Sequence, residues 1–248
     1  MRHTDCRIST VGQMLSTLKG QADLKQPVWF RGQGREEWKL IPSLAREISH
    51  LRAEGALIKR FMQNAAIHVA NPPRDEWEWM VLMQHHRAPT RLLDWSESPL
   101  VALYFAVEEI DNSSGDGVVW CLDPLELNKA ANLRFDFAAE IPAFGRDTVL
   151  ESYLPTRVAG TPFEMSPVAI IGPRNTPRMS AQLGAFTINH RLRTPIEEIG
   201  SGTHVWRWII PADAKPELKR ELAHLAFSEL TLFPELDKVA SVSRKVLG

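Results

Sequence analysis

Apolar positions along the chain recur at two spacings, and each change of spacing marks a new element. In "TVGQMLSTLKG", Val11, Leu15 and Leu18 share one face of a short opening helix that Gly20 can stop. "PVWFR" reads as a strand, with Pro27 at its first position, where a missing N–H is tolerated. Residues 42–70 carry Leu44, Ile48, Leu51 and Ile58 at helical spacing with charges opposite, which predicts a long helix. Ser43 is its candidate N-cap, and Glu47 lies close to where a capping box would place it. "NPPRDE" ends that helix and starts another, "WEWMVLMQHH".

"TRLLDW" is then a short strand candidate, and "SPLVALYFAVEEI" a helix with Ser98 as N-cap and Pro99 in its first turn. The turn cluster "NSSGDG" leads into the strand "VVWCLD". Residues 124–167 hold weak helical pieces among loop signals. "VAIIGP", "GAFTINH" and "HVWRWIIP" read as three strands, and "KPELKRELAHLAF" as a helix with Leu218, Leu222 and Leu225 on one face. "TLF" reads as a short extended piece, followed by a final helix opened by Pro234. Helices precede the cluster of strands, an α+β order and not a regular βαβ alternation. With no internal repeat or clear linker, the expectation is a single compact domain over 1–248, its helices preceding and flanking a central mixed or antiparallel sheet.

Composition narrows the picture little. With 44% hydrophobic and 24% charged residues, the 248-residue chain is an ordinary globular sequence. A net charge of -1 gives no global pull toward nucleic acid, though a local basic cleft is compatible with it. Cys6 and Cys121 are far apart and match no metal or redox spacing, which suits a reducing, cytoplasmic compartment. The polar start has no secretion-signal core, and "PLVALYFAV" is too short to span a bilayer, so no membrane partner is expected. Most of the eight tryptophans sit beside apolar runs, where core packing explains them.

Candidate chemistry is densest in "MQHHRAPTRLLDWSESPLVALYFA", which crowds Gln84, His85, His86, Arg87, Thr90, Arg91, Asp94, Ser96 and Ser98 at one strand and one helix N-terminus. A helix N-terminus suits a phosphate or carboxylate, and Arg91 could add a two-point grip. The same residues have a plain structural reading: Asp94 and Ser98 are good caps, and Arg91 and Asp94 can neutralise each other. His85 and His86 are adjacent, so one helix face cannot turn both to a metal, and no metal is expected. Serine-hydrolase, phosphate-loop and dinucleotide-fold motifs find no match in the sequence, and no carboxylate cluster supports a metal nuclease. Arg178, Gln182 and Gly184 form a further polar junction before a strand, and Glu229 is an acid just before "LTLF".

Together these pieces resemble the FRG domain, named for a signature present here as Phe30-Arg31-Gly32. The resemblance continues through Gln33, "PSLAR", "PTRLLDW", "SPL", "ALYFA", "AQLGAF" and "TLFPELD", covering about residues 7–247. The chain departs from the family at His86-Arg87, where a tyrosine-glycine pair is usual, and at Lys238, where glycine is common. If that glycine serves a positive φ, Arg87 must take up the same strained turn.

The family layout looks like the ADP-ribosyltransferase plan, which implies NAD as substrate and a macromolecular acceptor, whether RNA, DNA or protein. By that likeness Arg31 would hold the cofactor beside Gln33. Thr90, Arg91, Asp94, Trp95, Ser98 and Tyr104 would line the cofactor path, with Ser96 near the reacting ribose. Gln182 or Glu229 would stand where the transferases carry their acid. A bacterial toxin or phage-defence effector restrained by an antitoxin is the implied setting. A non-catalytic module that binds a nucleotide, nucleic acid or partner in the same cleft is the alternative.

Overall fold

A computed structural model describes residues 1–23, 25–69, 71–108, 115–131, 140–158 and 160–244. The predicted ends of the helices at 70, 109–110 and 245–247, part of the turn at 112–114, and 132–139 within the weak helical region lie outside these. Among the described residues, seven strands run in chain order: β1 Cys6–Arg7, β2 Trp29–Gln33, β3 Leu92–Ser96, β4 Gly117–Leu122, β5 Val168–Ile170, β6 Gly184–Ile188 and β7 Val205–Ile210. The helices are α1 Val11–Gln21, α2 Ile48–Ala65, α3 Glu76–His85, α4 Pro99–Val107, α5 Pro124–Ala130, α6 Pro155–Val158, α7 Pro177–Ala181, α8 Lys215–His224, α9 Glu229–Leu232 and α10 Leu236–Arg244. The strands form one mixed sheet in the order β1-β7-β4-β2-β3-β6-β5. β1 runs parallel to β7, and the remaining pairs are antiparallel. The fold is α+β. Among the described residues, no helix is long and apolar enough to cross a membrane.

Alternation within each strand divides the core. Phe30, Val119, Cys121, Trp206 and Trp208 face α1, α4 and α8 through Met14, Leu103 and Leu218. Trp29, Leu93, Trp95, Trp120 and Val205 pack on the opposite face. A third cluster joins Trp77 and Met80 of α3 to Leu92, Ile170 and Phe186. The helix that fixes the site is α4. Ser98 caps it by accepting from the Val101 amide, and Pro99 supplies a preset first turn. It lies so close to the sheet that a Cβ on Gly32 would sit 1.8 Å from the Ala102 carbonyl oxygen. On the neighbouring strand, a Cβ on Gly117 would sit 2.3 Å from the Ala106 oxygen. Glycine on two adjacent strands is therefore what lets this helix backbone rest on the sheet.

Several local expectations are corrected. In α1 the buried residues are Val11 and Met14, with Leu15 44% exposed, because the face toward the sheet follows i, i+3, i+7. The long helix over 42–70 is broken: Ser43–Arg46 forms a separate 3-10 turn, and Glu47 is extended before α2 begins. Ser43 therefore caps nothing, and Ile48 is exposed. Leu225 lies just past α8 and is also exposed. "TLF" is not extended. Ser228 and Thr231 form a capping box that winds Glu229–Leu232 into a helical turn. β1 carried no sequence signal, since two residues show no periodicity.

Candidate functional site

The sheet is weakly joined at its centre. β2 pairs with β4 at five positions and β3 with β6 at five, but β2 and β3 share one paired position, Phe30 opposite Ser96. Arg31 follows that pair, and its Nη1 donates to the Asp94 carbonyl at 2.7 Å, so a guanidinium bridges the two strands. Its Nε is buried with no partner. Burial lowers the Arg31 pKa, the Asp94 charge raises it, and Arg46 lowers it further. An arginine starts so high that it stays charged.

Above this junction lies a cleft of about 230 Å³. β2 and β3 form its floor, α4 contributes Val101, Ala102 and Phe105, the end of α3 contributes Gln84 and His85, and α7 and its exit contribute Arg178 and Gln182. Asp94 stands on the wall, its side chain exposed to the cleft. Desolvation raises its carboxyl pKa, against the opposing pull of Arg31, a hydrogen bond from Gln84 and the charge of Arg178. Gln84 is fixed in turn: its Nε2 donates to Asp94 Oδ2 at 2.5 Å, and Thr90 Oγ1 donates to its Oε1 at 2.5 Å. Thr90 is buried and acts on the cleft only through Gln84.

Arg178 is the second cation. Its guanidinium lies 4.7 Å from the Phe233 ring centroid, its Nη1 donates to the His85 carbonyl at 3.3 Å, and it stands 3.9 Å from Glu235. Burial lowers its pKa, opposed by Glu235 and Asp94. The arrangement is two cations and one carboxylate facing a half-enclosed space, which can hold an anionic ligand and stabilise a positive centre beside it.

Of the sequence candidates, Arg31, Asp94, Trp95, Ser96 and Gln182 line the cleft. Ser96 Oγ donates to the Gln182 carbonyl at 2.7 Å and accepts from the Ser98 amide, so it ties β3 to the α7 exit. Gln182 Nε2 donates to the Leu232 carbonyl at 3.0 Å. The other candidates stand elsewhere. Gln33 accepts from Trp120 Nε1 in the core at 2.9 Å. Arg91 is 1% exposed and fully engaged by Glu54, the Asn189 carbonyl and the Tyr153 carbonyl at 2.6 to 2.7 Å. The expected Arg91–Asp94 neutralisation does not occur: Glu54, which the sequence pattern did not single out, is the partner. Ser98 caps α4, Tyr104 packs against the core with its hydroxyl pKa pushed up to about 12 by burial, and Glu229 pairs with Lys238 at 2.9 Å.

Gln84, His85 and Arg178, which stand in the polar clusters of the sequence but have no place in the transferase layout, also line the cleft. Arg178 lies one helical turn before Gln182, a spacing that brings both to one side. The departure from the family pattern at Arg87 has the expected backbone: Arg87 sits at φ 61. Among the described residues, no group of three or more His, Cys, Asp or Glu side chains is placed to hold a metal ion.

An α+β domain with a cation-lined cleft over a parted sheet is the class these features define. Within it, residues 26–115 match the FRG domain family. No curated protein and no solved structure matches the chain. The matched segment carries Arg31, Gln84, His85, Asp94 and Ser96, while Arg178 and Gln182 lie beyond it. It is shorter than the span of about 7–247 over which the motifs were read.

Proposed function

We propose that the cleft binds NAD and that the protein is an ADP-ribosyltransferase-like enzyme. The observation that carries this reading is the Asp94 carboxylate, set between Arg31 and Arg178 on the wall of the cleft. Neither acid position expected from the transferase layout serves: Gln182 has no carboxylate, and Glu229 is paired outside the cleft. Asp94 takes that role here. In the reaction, the bond from ribose C1′ to nicotinamide breaks and its electron pair leaves with nicotinamide. Asp94 stabilises the positive charge that develops on the ribose, and the two arginines hold the diphosphate.

The volume of about 230 Å³ lies below the ~300–1,000 Å³ of pockets that enclose a whole small ligand. The cleft therefore takes the nicotinamide–ribose end and the diphosphate beside the two arginines, and the adenosine end lies along its mouth. The acceptor is a macromolecule, RNA, DNA or protein. A cytoplasmic toxin or phage-defence effector held in check by an antitoxin is the setting that agrees with this chemistry.

The test is incubation with NAD and a lysate supplemented with RNA and DNA, reading nicotinamide release and label transfer. Asp94→Asn keeps the shape and the Gln84 contact, so it should lower release by about 10²-fold or more while NAD affinity changes only a few-fold. A folded wild type that neither binds NAD nor releases nicotinamide would sink the reading. The second reading, a non-catalytic nucleotide-binding module, is favoured by the Gln84 hydrogen bond that already occupies Asp94. Stabilisation by NAD in a thermal shift, without turnover, would decide for it.

A further inference from the structure

His85 is the wall between two cavities. It lines the cleft, and it also lines an open groove of about 750 Å³ that runs past His68, Asn71, Pro73, His86 and Thr176. Val81 of the same helix is the other residue the two share. The helix α3 ends at His85, and the backbone turns at once through Arg87 in the left-handed region, which sets the imidazole at the corner of the two spaces. The ring packs edge-on against His86 at 4.9 Å between centroids. Its Nδ1 is buried with no protein partner, and its Nε2 lies 4.0 Å from Glu235 Oε1. The other Glu235 oxygen is buried and unpartnered as well. An imidazole with an unpartnered ring nitrogen at the seam of two cavities, with a carboxylate near its other nitrogen, is an arrangement that accepts a proton and then stabilises the imidazolium formed.

We propose that His85 is the proton acceptor of this site, taking the proton from an O–H or N–H nucleophile that reaches the cleft through the groove. The inference rests on the NAD reading of the cleft. The step balances as follows. The C1′–nicotinamide bond breaks, and its electron pair leaves with nicotinamide. A lone pair of the nucleophile forms the new bond to C1′. The nucleophile's proton passes to the His85 imidazole, and from the imidazolium to solvent in the groove. Glu235 compensates the charge in between, while Arg178, 3.9 Å from the same carboxylate, keeps it from being the resting partner of the ring alone.

The environment keeps the imidazole in the accepting form. Burial lowers its pKa first, then the neighbouring His86 and Arg178, with Glu235 opposing. Activity should accordingly hold across neutral pH and fall only below the ordinary histidine range.

Water serves as the probe nucleophile. Nicotinamide release from NAD is followed for the wild type and for His85→Asn, His85→Gly and Glu235→Gln, alongside NAD affinity by calorimetry and melting temperature. The expected result is loss of release by about 10²-fold or more in His85→Asn with NAD affinity nearly unchanged, and recovery of His85→Gly by added imidazole. Glu235→Gln should move the acidic limb of the pH profile to lower pH, since the opposing carboxylate is gone. Release within a few-fold of wild type in His85→Asn, or an His85→Gly that binds NAD and ignores imidazole, overturns the role of His85 and leaves the NAD reading standing. A wild type that does not bind NAD overturns both, and the calorimetry distinguishes that case.

Discussion

At the scale of single residues, the three letters of the signature do three separate jobs. Phe30 is core, packed with Trp208 and Leu103 on the α4 side of the sheet. Arg31 bridges the parted strands and faces the cleft. Gly32 lies inside β2, and its missing Cβ is what admits α4. Gly32→Ala should therefore cost ~3 kcal/mol or more, because the obstructing atoms are backbone and cannot rotate away. Urea denaturation checks it; a loss below about 1 kcal/mol would mean that α4 can lift without penalty. Arg31 was legible through the Phe-Arg-Gly signature and the blocks that accompany it. Arg178 and His85 stood out as polar residues, but their meeting across the cleft was not legible, because it depends on where α3 and α7 dock.

At the scale of elements, Arg91 shows why spacing misled. Three residues from Asp94 and near a helix N-terminus, it read equally as a ligand grip or as a partner for that aspartate. The structure gives it to α2 instead, where Glu54 is buried on an otherwise mostly exposed stretch of helix and meets Arg91 Nε at 2.7 Å. Such a partner, 37 residues away, is invisible to local pattern. The charge pair pins α2 to the start of β3, and few apolar contacts substitute for it, since Glu54 and Ile58 are the buried residues of that helix. Glu54→Ala leaves a buried guanidinium without its counter-charge and should cost roughly 3–5 kcal/mol. Hydrogen exchange should rise first over 48–65. Replacing both partners by methionine should restore much of the loss, because the desolvation penalty goes with the pair. A double variant as unstable as the single one would show that the hydrogen bonds from Arg91 to the Asn189 and Tyr153 carbonyls matter more than the charges.

At the scale of the whole molecule, the strand and helix order was legible from periodicity, whereas the sheet order was not: β2 sits between β3 and β4, and β1 joins β7 from the far end of the chain. That long-range assembly encloses titratable groups whose local sequence gives no sign of burial. His190 follows β6 and is fully buried, edge-on to Tyr153, with its Nδ1 accepting from the Met165 amide. Its pKa falls to about 4, first from burial and then from Arg91 and Arg191. The native state thus holds it neutral while the unfolded chain binds a proton below its ordinary value of 6.5. Its contribution to stability is complete above that value and is lost as pH falls toward about 4, a loss of roughly 2–3 kcal/mol. His204, also lowered by burial, acts in the same direction. Asp94 and Glu197, whose pKa values burial raises, act oppositely, since the native state holds their protons longer. The net slope mixes these, so the informative measurement is a difference. Urea denaturation of wild type and His190→Gln at pH 7 and pH 4.5 should show the wild type losing more stability than the variant over that interval. Parallel losses in the two would place the acid sensitivity in groups other than His190.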